Sequence, residues 1–447
     1  MKKKALSLLV VGLLIVGIVA GCQKPGGNAT EVGSQSQNSS ETAKISFEFW
    51  AAPNPTQTAF WKKMANSYME THENVSIKVN QMPESPSSEA GIQTALASGT
   101  APVMSENISR GFGAQLAKDG AIVPMDEYSQ FSEIVKKRHM KKTIEPWEFS
   151  DGHQYVIPLY SNAMLFGWRI DILKDLGYSE PPKTYSEIIE FGKKLKEKYP
   201  KKFLWANPDL VKSTWWARWF DFFMLYDAAS GGNAFIKGEK FVADDQAGIE
   251  TLSFLDQLEE NDLLLTQKAK NPFVTGLSVW ATIGPWTFPN WDKKFPDFKY
   301  KENYVLTMPP VPDGVEPSQP KTYADTKGLV VYAQSSKEQQ KAAMDFAKWV
   351  LSNQEHDLQW LKQTNLPPAR DDLGTNETFK EFFSKHPALQ KYAENIPNAV
   401  PPIDNPKTVK LQTILSTEAV NPVVKQKKDP KEAWQDMKQK ITGVLAE

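Results

Sequence analysis

Residues 44–81 read KISFEFWAAPNPTQTAFWKKMANSYMETHENVSIKVNQ, in which two runs of alternating apolar residues flank a helical pattern. The alternation over 44–50 and 75–79 predicts β-strands, and the apolar spacing over 58–70 predicts an α-helix. A second helix is predicted over 88–97. This alternation of strands and helices indicates an α/β fold with a mostly parallel sheet covered by helices.

Similar patterns recur later in the chain. Thr184 and Glu187 form a capping box in front of a helix, because their side chains can satisfy each other's backbone amides. Residues 214–226 are predicted to form one strongly aromatic helix. Short strands are predicted over 102–104 and 329–332.

The composition describes a soluble globular protein. The chain has 447 residues, with 52 Lys and Arg against 53 Asp and Glu, and a single cysteine. This length predicts roughly two or three domains. The net charge of −1 gives no general attraction to nucleic acid, so we expect no nucleic-acid partner. One cysteine excludes an internal disulfide framework. The 14 Trp residues indicate flat apolar surfaces as well as core filling.

The first residues predict export and lipid anchoring. A basic start precedes an apolar run over 5–20, which is shorter than the roughly 20 residues of a membrane-spanning helix. Val19-Ala20-Gly21-Cys22 resembles the bacterial lipobox, whose cysteine carries the lipid of the mature protein. We therefore expect a lipoprotein signal peptide over 1–21 and a lipid anchor with a flexible tether over 22–43. The protein would then be held on the extracellular face of the cell membrane.

Motifs for covalent catalysis and metal binding are missing from the sequence. The five histidines form no zinc-helix pair and have no cysteine partner nearby. The sequence contains no phosphate-binding loop and no nucleophile elbow. We therefore expect no catalytic residue, no metal and no cofactor. A carboxylate pair of the glycosidase kind needs no local motif, so this reasoning leaves an enzyme open.

Candidate ligand contacts lie at predicted strand ends. Trp50 ends the first strand, Glu106 and Asn107 follow the third, and Trp286 follows a later strand and turn. Ligands bind at the carboxyl ends of strands in open parallel sheets, so we expect these residues to share a cleft. Trp216 points about 100° away from the apolar stripe of its predicted helix and is a further candidate.

Six short motifs then carry a family resemblance. They are ALASGTAP at 95–102, GAIVPMD at 120–126, DGHQYVIP at 151–158, PPKTYSE at 181–187, GPW at 284–286 and LPPAR at 366–370. In this order they resemble the extracellular solute-binding proteins of ABC importers, specifically the sugar-binding group typified by maltose-binding protein. The matching residues are spread over nearly all of residues 44–447.

The resemblance implies a two-lobed, periplasmic-binding-protein-like α/β fold with a ligand cleft between the lobes. Each lobe would be a mostly parallel sheet flanked by helices. Lobe 1 would comprise 44–157 and 325–360, and lobe 2 would comprise 158–305 and 365–447. The chain would be the substrate-binding component of an ABC carbohydrate importer, which captures an oligosaccharide between closing lobes and delivers it to the permease transmembrane subunits. We expect a monomer that makes and breaks no covalent bond.

Sugars are bound by stacked aromatic rings and by polar groups that pair with their hydroxyls. The expected ligand-binding residues are therefore Trp50, Asn54, Glu106, Asn107, Asn162, Trp216, Trp286, Asp325 and Lys327. Two alternatives stay open. One is an extracellular glycan-cleaving enzyme, and the other is a solute-binding protein for a non-sugar ligand such as a peptide or a polyamine.

Overall fold

The structure is a computed structural model that describes residues 44–85, 87–149, 151–318, 320–403 and 405–447. The expected signal peptide, Cys22 and tether lie outside these residues. All described residues belong to one compact unit.

The strands are short and spread along the whole described chain. They are β1 (Ile45–Ala51), β2 (Val75–Gln81), β3 (Met104–Ile108), β4 (Ile157–Ala163), β5 (Leu165–Arg169), β6 (Phe203–Ala206), β7 (Ile236–Lys237), β8 (Lys240–Phe241), β9 (Leu264–Leu265), β10 (Ser278–Ile283), β11 (Tyr304–Thr307), β12 (Thr322–Val331) and β13 (Ala399–Val400).

The α-helices alternate with these strands and dominate the C-terminal third. They are α1 (Pro55–Met69), α2 (Ser88–Ala97), α3 (Arg110–Lys118), α4 (Ser129–Lys137), α5 (Lys141–Ile144), α6 (Ile170–Asp175), α7 (Tyr185–Lys198), α8 (Phe222–Ala229), α9 (Asp245–Glu260), α10 (Phe288–Lys294), α11 (Lys337–Leu351), α12 (Gln354–Thr364), α13 (Glu377–Lys385), α14 (Pro387–Asn395), α15 (Thr408–Ile414), α16 (Asn421–Gln426) and α17 (Pro430–Ala446). Within the described ranges, every helix is too short or too polar to cross a bilayer.

The first sheet has the order β13-β12-β3-β1-β2, and β4 also pairs with β12. Strand β1 is parallel to both β2 and β3, with Trp50 opposite Asn80 and Ser105. Strand β12 runs antiparallel to β3 and β4. Because β1, β2 and β3 are parallel, the loops that follow them meet at one edge of the sheet.

The second sheet has the order β11-β5-β10-β6-β9. Strand β5 is antiparallel to β10 and β11, whereas β6 is parallel to β10 and β9. The predicted α/β class is confirmed. Both sheets are mixed, however, because β12 runs antiparallel to β3 and β4 in the first sheet, and β5 runs antiparallel to both of its neighbours in the second.

Each sheet has its own hydrophobic core. In the first, Trp61 on α1 packs against Phe49 and Phe346 at ring-centroid distances of 4.5 and 6.1 Å. In the second, Trp280 on β10 stacks on Phe166 at 4.1 Å. Trp286 is partly buried and packs against both cores, so it lies where the two halves of the chain meet.

Helix starts follow the sequence closely. The helix predicted over 88–97 is present with those bounds, and Thr184 and Glu187 form both hydrogen bonds of the predicted capping box. These features depend on residues three or four positions apart, so the local sequence is sufficient to specify them.

The prediction of one aromatic helix over 214–226 is wrong in one respect, because the structure has two helical segments that are separated at Asp221. Residues Trp215–Phe220 form a 3₁₀ helix, and α8 begins after Asp221, whose φ and ψ are −135° and −81°. The Asp221 carboxylate accepts hydrogen bonds from the backbone N–H of Phe222 at 2.5 Å and from the Arg218 guanidinium at 2.8 Å. This capping by a buried carboxylate ends one helical segment and starts the next.

Two strands are longer or later than predicted. The third strand is Met104–Ile108 rather than 102–104, and the strand predicted over 329–332 begins seven residues earlier, at Thr322. Glu106 and Asn107 therefore lie within a strand and not after it, and Asp325 and Lys327 lie within a strand and not before it. Their polar side chains mask the apolar alternation on which the prediction depended.

Candidate ligand-binding cleft

A cavity of about 230 Å³ opens where the carboxyl edge of the first sheet meets the aromatic 3₁₀ helix and the segment after β10. Loops and strands of the first half form one wall, and aromatic rings form the other. The lining residues are Ala52, Pro53, Asn54, Gln57, Glu84, Ser87, Ser88, Glu89, Asn107, Tyr160, Trp216, Trp219, Phe220, Trp286, Asp325, Lys327 and Leu366.

The β1–α1 loop supplies one edge of the cavity. Asn54 is the N-cap of α1, and its Oδ1 accepts hydrogen bonds from Thr56 N at 2.9 Å and Thr56 Oγ1 at 2.8 Å. Pro55 occupies the first helical turn, where a missing N–H costs nothing. The cap therefore fixes where the loop ends and how the Asn54 side chain is held.

Glu106 lies fully buried beneath this loop and outside the cavity lining. Its carboxylate accepts hydrogen bonds from Ala52 N at 2.7 Å and from Gln57 Nε2 at 3.2 Å. Burial raises the pKa of Glu106 to about 7, although these hydrogen bonds oppose the shift. Glu106 is therefore a positioning residue that holds two lining residues in place.

Asn107, the next residue on β3, points the other way and lines the cavity. Its backbone has a φ of 67°, in the left-handed region that Asn adopts more readily than most residues. The strand bulges here, because Glu106 and Asn107 together lie opposite the single residue Leu329 of β12. A bulge re-aims the side chains next to it, and here Glu106 is buried while Asn107 reaches the cavity.

Tyr160, Asp325 and Lys327, on β4 and β12, form the floor, and Asn162 lies beneath them. Asp325 lies opposite Asn162, and Lys327 lies opposite Tyr160. Lys327 Nζ donates to Asp325 Oδ1 at 2.7 Å, and Asn162 Nδ2 donates to the backbone oxygen of Asp325 at 3.3 Å. Burial, together with the nearby carboxylate of Asp325, raises the pKa of Tyr160 well above its ordinary value. Its phenol therefore remains a hydrogen-bond donor.

The aromatic wall is a chain of three partly buried rings. The Trp216 and Phe220 centroids are 6.5 Å apart, and the Phe220 and Trp286 centroids are 5.7 Å apart. Behind them, the buried Trp219 carries Lys327 Nζ 4.2 Å above its ring centroid. Flat apolar faces opposite polar side chains are an arrangement suited to a ligand that has both kinds of surface, as a pyranose ring does.

The structure brings six of the nine expected residues to one cavity: Asn54, Asn107, Trp216, Trp286, Asp325 and Lys327. Three do not line it. Trp50 donates from Nε1 to Glu48 Oε1 at 2.7 Å along its own strand, and Glu106 and Asn162 are buried beneath the lining. The roles of all nine in binding a ligand stay predictions.

Several lining residues were absent from the expected set. Gln57 and Glu89 lie in the first turns of helices that begin just after strands, so the strand-end rule could have found them. Tyr160 and Phe220 gave no such signal. Tyr160 reaches the cavity only through the pairing of β4 with β12, and Phe220 only because the helix breaks at Asp221.

Clusters of acidic, histidine or cysteine side chains that could hold a metal ion do not occur among the described residues. The cavity offers aromatic faces, three carboxylates, one ammonium group, amides and hydroxyls. These groups are equipped for reversible binding by stacking and hydrogen bonding.

The two mixed sheets meet at a cleft with polar and aromatic walls, which is suited to binding a solute. The family model for bacterial extracellular solute-binding proteins matches residues 63–391, and this chain belongs to that family. The resemblance inferred from the six motifs is therefore confirmed, as is the two-lobed α/β fold class.

Solved structures share this fold over most of the described chain. An uncharacterized protein from Listeria monocytogenes EGD-e is 55% identical, with a TM-score of 0.77 over 90% of this chain and 100% of that one. The cyclic α-maltosyl-1,6-maltose binding protein from Arthrobacter globiformis is 19% identical, with a TM-score of 0.72 over 90% and 99%.

A curated relative matches over a shorter region. The sn-glycerol-3-phosphate-binding periplasmic protein of Brucella abortus is 28% identical over 118 residues. That match spans only 26% of this chain and 26% of the relative.

Proposed function

We propose that this protein is the substrate-binding component of an ABC carbohydrate importer and that it captures an oligosaccharide in the cleft. The observation that carries this proposal is the pairing, across one cavity, of an aromatic wall with polar groups. Trp216, Phe220 and Trp286 present ring faces, while Asp325, Lys327 and Asn107 present hydrogen-bonding groups. Sugar hydroxyls need partners when they leave water, and the apolar faces of sugar rings gain from stacking.

A division into lobes at 44–157 plus 325–360 and 158–305 plus 365–447 would let the ligand be enclosed. Strand pairing supports a crossing slightly later than residue 158, at Met164, because β4 pairs within the first sheet and β5 within the second. A second crossing would lie between β11 and β12. The ligand would favour closure by making additional contacts in the closed state.

The closed form would be recognised by the permease transmembrane subunits, and the solute would be delivered there without covalent change. A lipid on Cys22 would hold the protein, as a monomer, on the outer face of the cell membrane. The Arthrobacter globiformis protein, whose name specifies a cyclic maltosyl sugar, supports a carbohydrate ligand for this fold.

The test is calorimetry of the purified protein with α- and β-linked oligomers of glucose, mannose, xylose and galactose. Trp fluorescence and chromatography of the recovered ligand would use the same samples. We expect saturable binding, a fluorescence change and intact sugar. A shortened ligand would instead indicate a glycan-cleaving enzyme, and no binding across the panel would overturn the proposal in favour of a non-sugar solute.

Two tryptophan variants would locate the bound sugar. Trp286→Ala should weaken binding by more than about tenfold, which is a loss of more than about 1.4 kcal/mol in binding free energy. Trp349→Ala is the matched control, because Trp349 is a partly buried tryptophan on α11 that does not line the cavity. Unchanged affinity in Trp286→Ala, or a large loss in Trp349→Ala, would move the site away from this cavity.

A further inference from the structure

The charges around the cavity are unequal. The described lining residues include three carboxylates, from Glu84, Glu89 and Asp325, and one ammonium group, from Lys327. A ligand that enters this cavity therefore meets a surplus of negative charge at neutral pH.

Lys327 is already engaged within the protein. Its Nζ donates to Asp325 Oδ1 at 2.7 Å and lies 4.2 Å above the Trp219 ring, and both members of the ion pair are almost fully buried. If Lys327 turned toward an anionic ligand, Asp325 would lose its counter-charge in a buried position, which is strongly unfavourable. The ammonium group is therefore poorly placed to receive a phosphate or a carboxylate.

Two helix N-termini face the cavity, and in each an N-cap side chain of the protein accepts a backbone N–H of the first turn. Asn54 caps α1 by accepting from Thr56 N, and Ser87 caps α2 by accepting from Ala90 N at 3.2 Å. Glu89 adds a carboxylate in the first turn of α2. Helix N-termini attract anions through free N–H groups and the helix dipole, but at α2 the carboxylate of Glu89 already occupies that position.

Glu89 is itself short of compensating charge. It is 8% exposed, and burial raises its pKa, against the opposing effects of its own backbone N–H, Ser87 and the charge of Lys327. Glu84, on the same loop, is exposed at the rim. A ligand ammonium group beside these carboxylates would offset their negative charge, and the ring faces of Trp216 and Trp286 would stabilise the same cation.

We propose that the cleft selects its saccharide by charge: it favours an amine-bearing sugar over the neutral one and rejects sugars that carry phosphate, sulfate or carboxylate. Glu89 is the selecting residue, and Glu84 assists at the rim. This inference rests on the proposed function, since it concerns the ligand of the same cavity. It separates this protein from the sn-glycerol-3-phosphate-binding relative, whose ligand is an anion.

The test compares saccharides that differ only in charge. The purified protein is titrated by calorimetry, at about pH 6 where alkyl amines are protonated, with cellotriose, the chitosan trimer and the matched glucuronic acid trimer. Maltotriose, its phosphate monoester and sn-glycerol 3-phosphate complete the set. We expect the amine-bearing trimer to bind about tenfold tighter than the neutral one, and the anionic compounds at least about tenfold weaker.

Variants assign the preference to residues. In Glu89→Gln the affinities for amine-bearing and neutral trimers should become equal, and Glu84→Gln should reduce the difference by a smaller factor. Glu73→Gln is the matched control, because Glu73 is exposed just before β2, at the opposite end of that strand from the cavity. An unchanged preference in Glu89→Gln would overturn the assignment, whatever Glu84→Gln shows.

The outcomes distinguish this inference from the proposed function. If the neutral trimers bind but the amine gives no advantage, or an anionic compound binds as tightly, charge selection fails and the sugar-binding function stands. If sn-glycerol 3-phosphate alone binds, both charge selection and the proposed sugar-binding function fail. If none of the compounds and none of the neutral oligomers binds, the proposed function fails and this inference with it.

Discussion

The indole of Trp286 lies directly against the α-carbon of Gly284. A Cβ built on Gly284 would lie 2.2 Å from the Trp286 ring, a separation that no real side chain tolerates. The glycine is therefore required for the position of the indole, which is the ring that packs against both hydrophobic cores and lines the cavity.

Gly284→Ala should move Trp286 and weaken ligand binding by about tenfold or more, because the stacking face is displaced from the cavity. Calorimetry with the sugar identified in the panel measures the change, and the Trp emission maximum reports the displaced indole. Gly374→Ala is the matched control, since a Cβ there meets nothing within 4 Å. Equal affinities in the two variants would show that the contact does not position the ring.

Removing only one partner of the ion pair between Asp325 and Lys327 should strongly destabilise the folded protein. Lys327→Met leaves the buried Asp325 carboxylate without its counter-charge, and we expect a loss of about 3–5 kcal/mol in the free energy of unfolding. The double variant Asp325→Asn, Lys327→Met removes both charges and should lose less. Urea unfolding measures both variants. A double variant that is less stable than Lys327→Met would contradict this account.

A second buried network joins α12 to the start of β4. The Asp357 carboxylate accepts from Arg138 Nη2 at 2.8 Å and from Arg370 Nη1 at 2.9 Å, while Arg138 also donates to the Pro158 and Leu159 oxygens at 2.9 and 2.8 Å. Asp357→Asn removes the counter-charge of the buried Arg138 guanidinium, whereas Arg370 keeps its ion pair with Asp372. The change should cost about 3–5 kcal/mol of unfolding free energy.

The control for Asp357→Asn is Glu377→Gln, which breaks an exposed pair with Lys380. That variant should change stability by no more than about 0.5 kcal/mol. Thermal or urea unfolding of the two variants side by side distinguishes the buried network from the surface pair. Similar losses in both would rule out burial as the reason.

The raised pKa of Glu106 predicts that the stability of the folded protein depends on pH. Its pKa in the folded protein is raised from 4.5 to about 7, so the folded state keeps a proton that the unfolded state releases. The carboxyl group therefore costs stability increasingly as the pH rises from its unfolded pKa to about 7, and the cost is constant above that.

Glu106→Gln removes this titration. The unfolding free energy of the variant relative to the unmodified protein should rise over that pH window by on the order of 3 kcal/mol and then level off. Chemical unfolding at a series of pH values measures the difference. A difference that is flat with pH would mean that Glu106 titrates normally in the folded state.

The α/β class and the family followed from features that are local in the sequence. The helix at Ser88–Ala97 and the capping box of Thr184 and Glu187 were predicted because each depends on neighbours a few positions away. The GPW motif identified Trp286 as a candidate, and the same short segment contains the glycine that gives the indole its room.

The sequence by itself determined the alternation of strands and helices, the starts of the main helices, the family, and the strand-end and polar residues from which the cavity is built. Only the tertiary structure decided which of these face the cavity. Glu106 and Asn107 are adjacent on β3, yet Glu106 is buried and Asn107 lines the cavity, because β3 bulges against β12 at these two residues. Tyr160 comes beside Lys327 through the register of β4 on β12, and that pairing joins residues far apart in the chain. Such long-range register is set by the burial of whole sheet faces and by the packing of both halves, so no short stretch of sequence contains it.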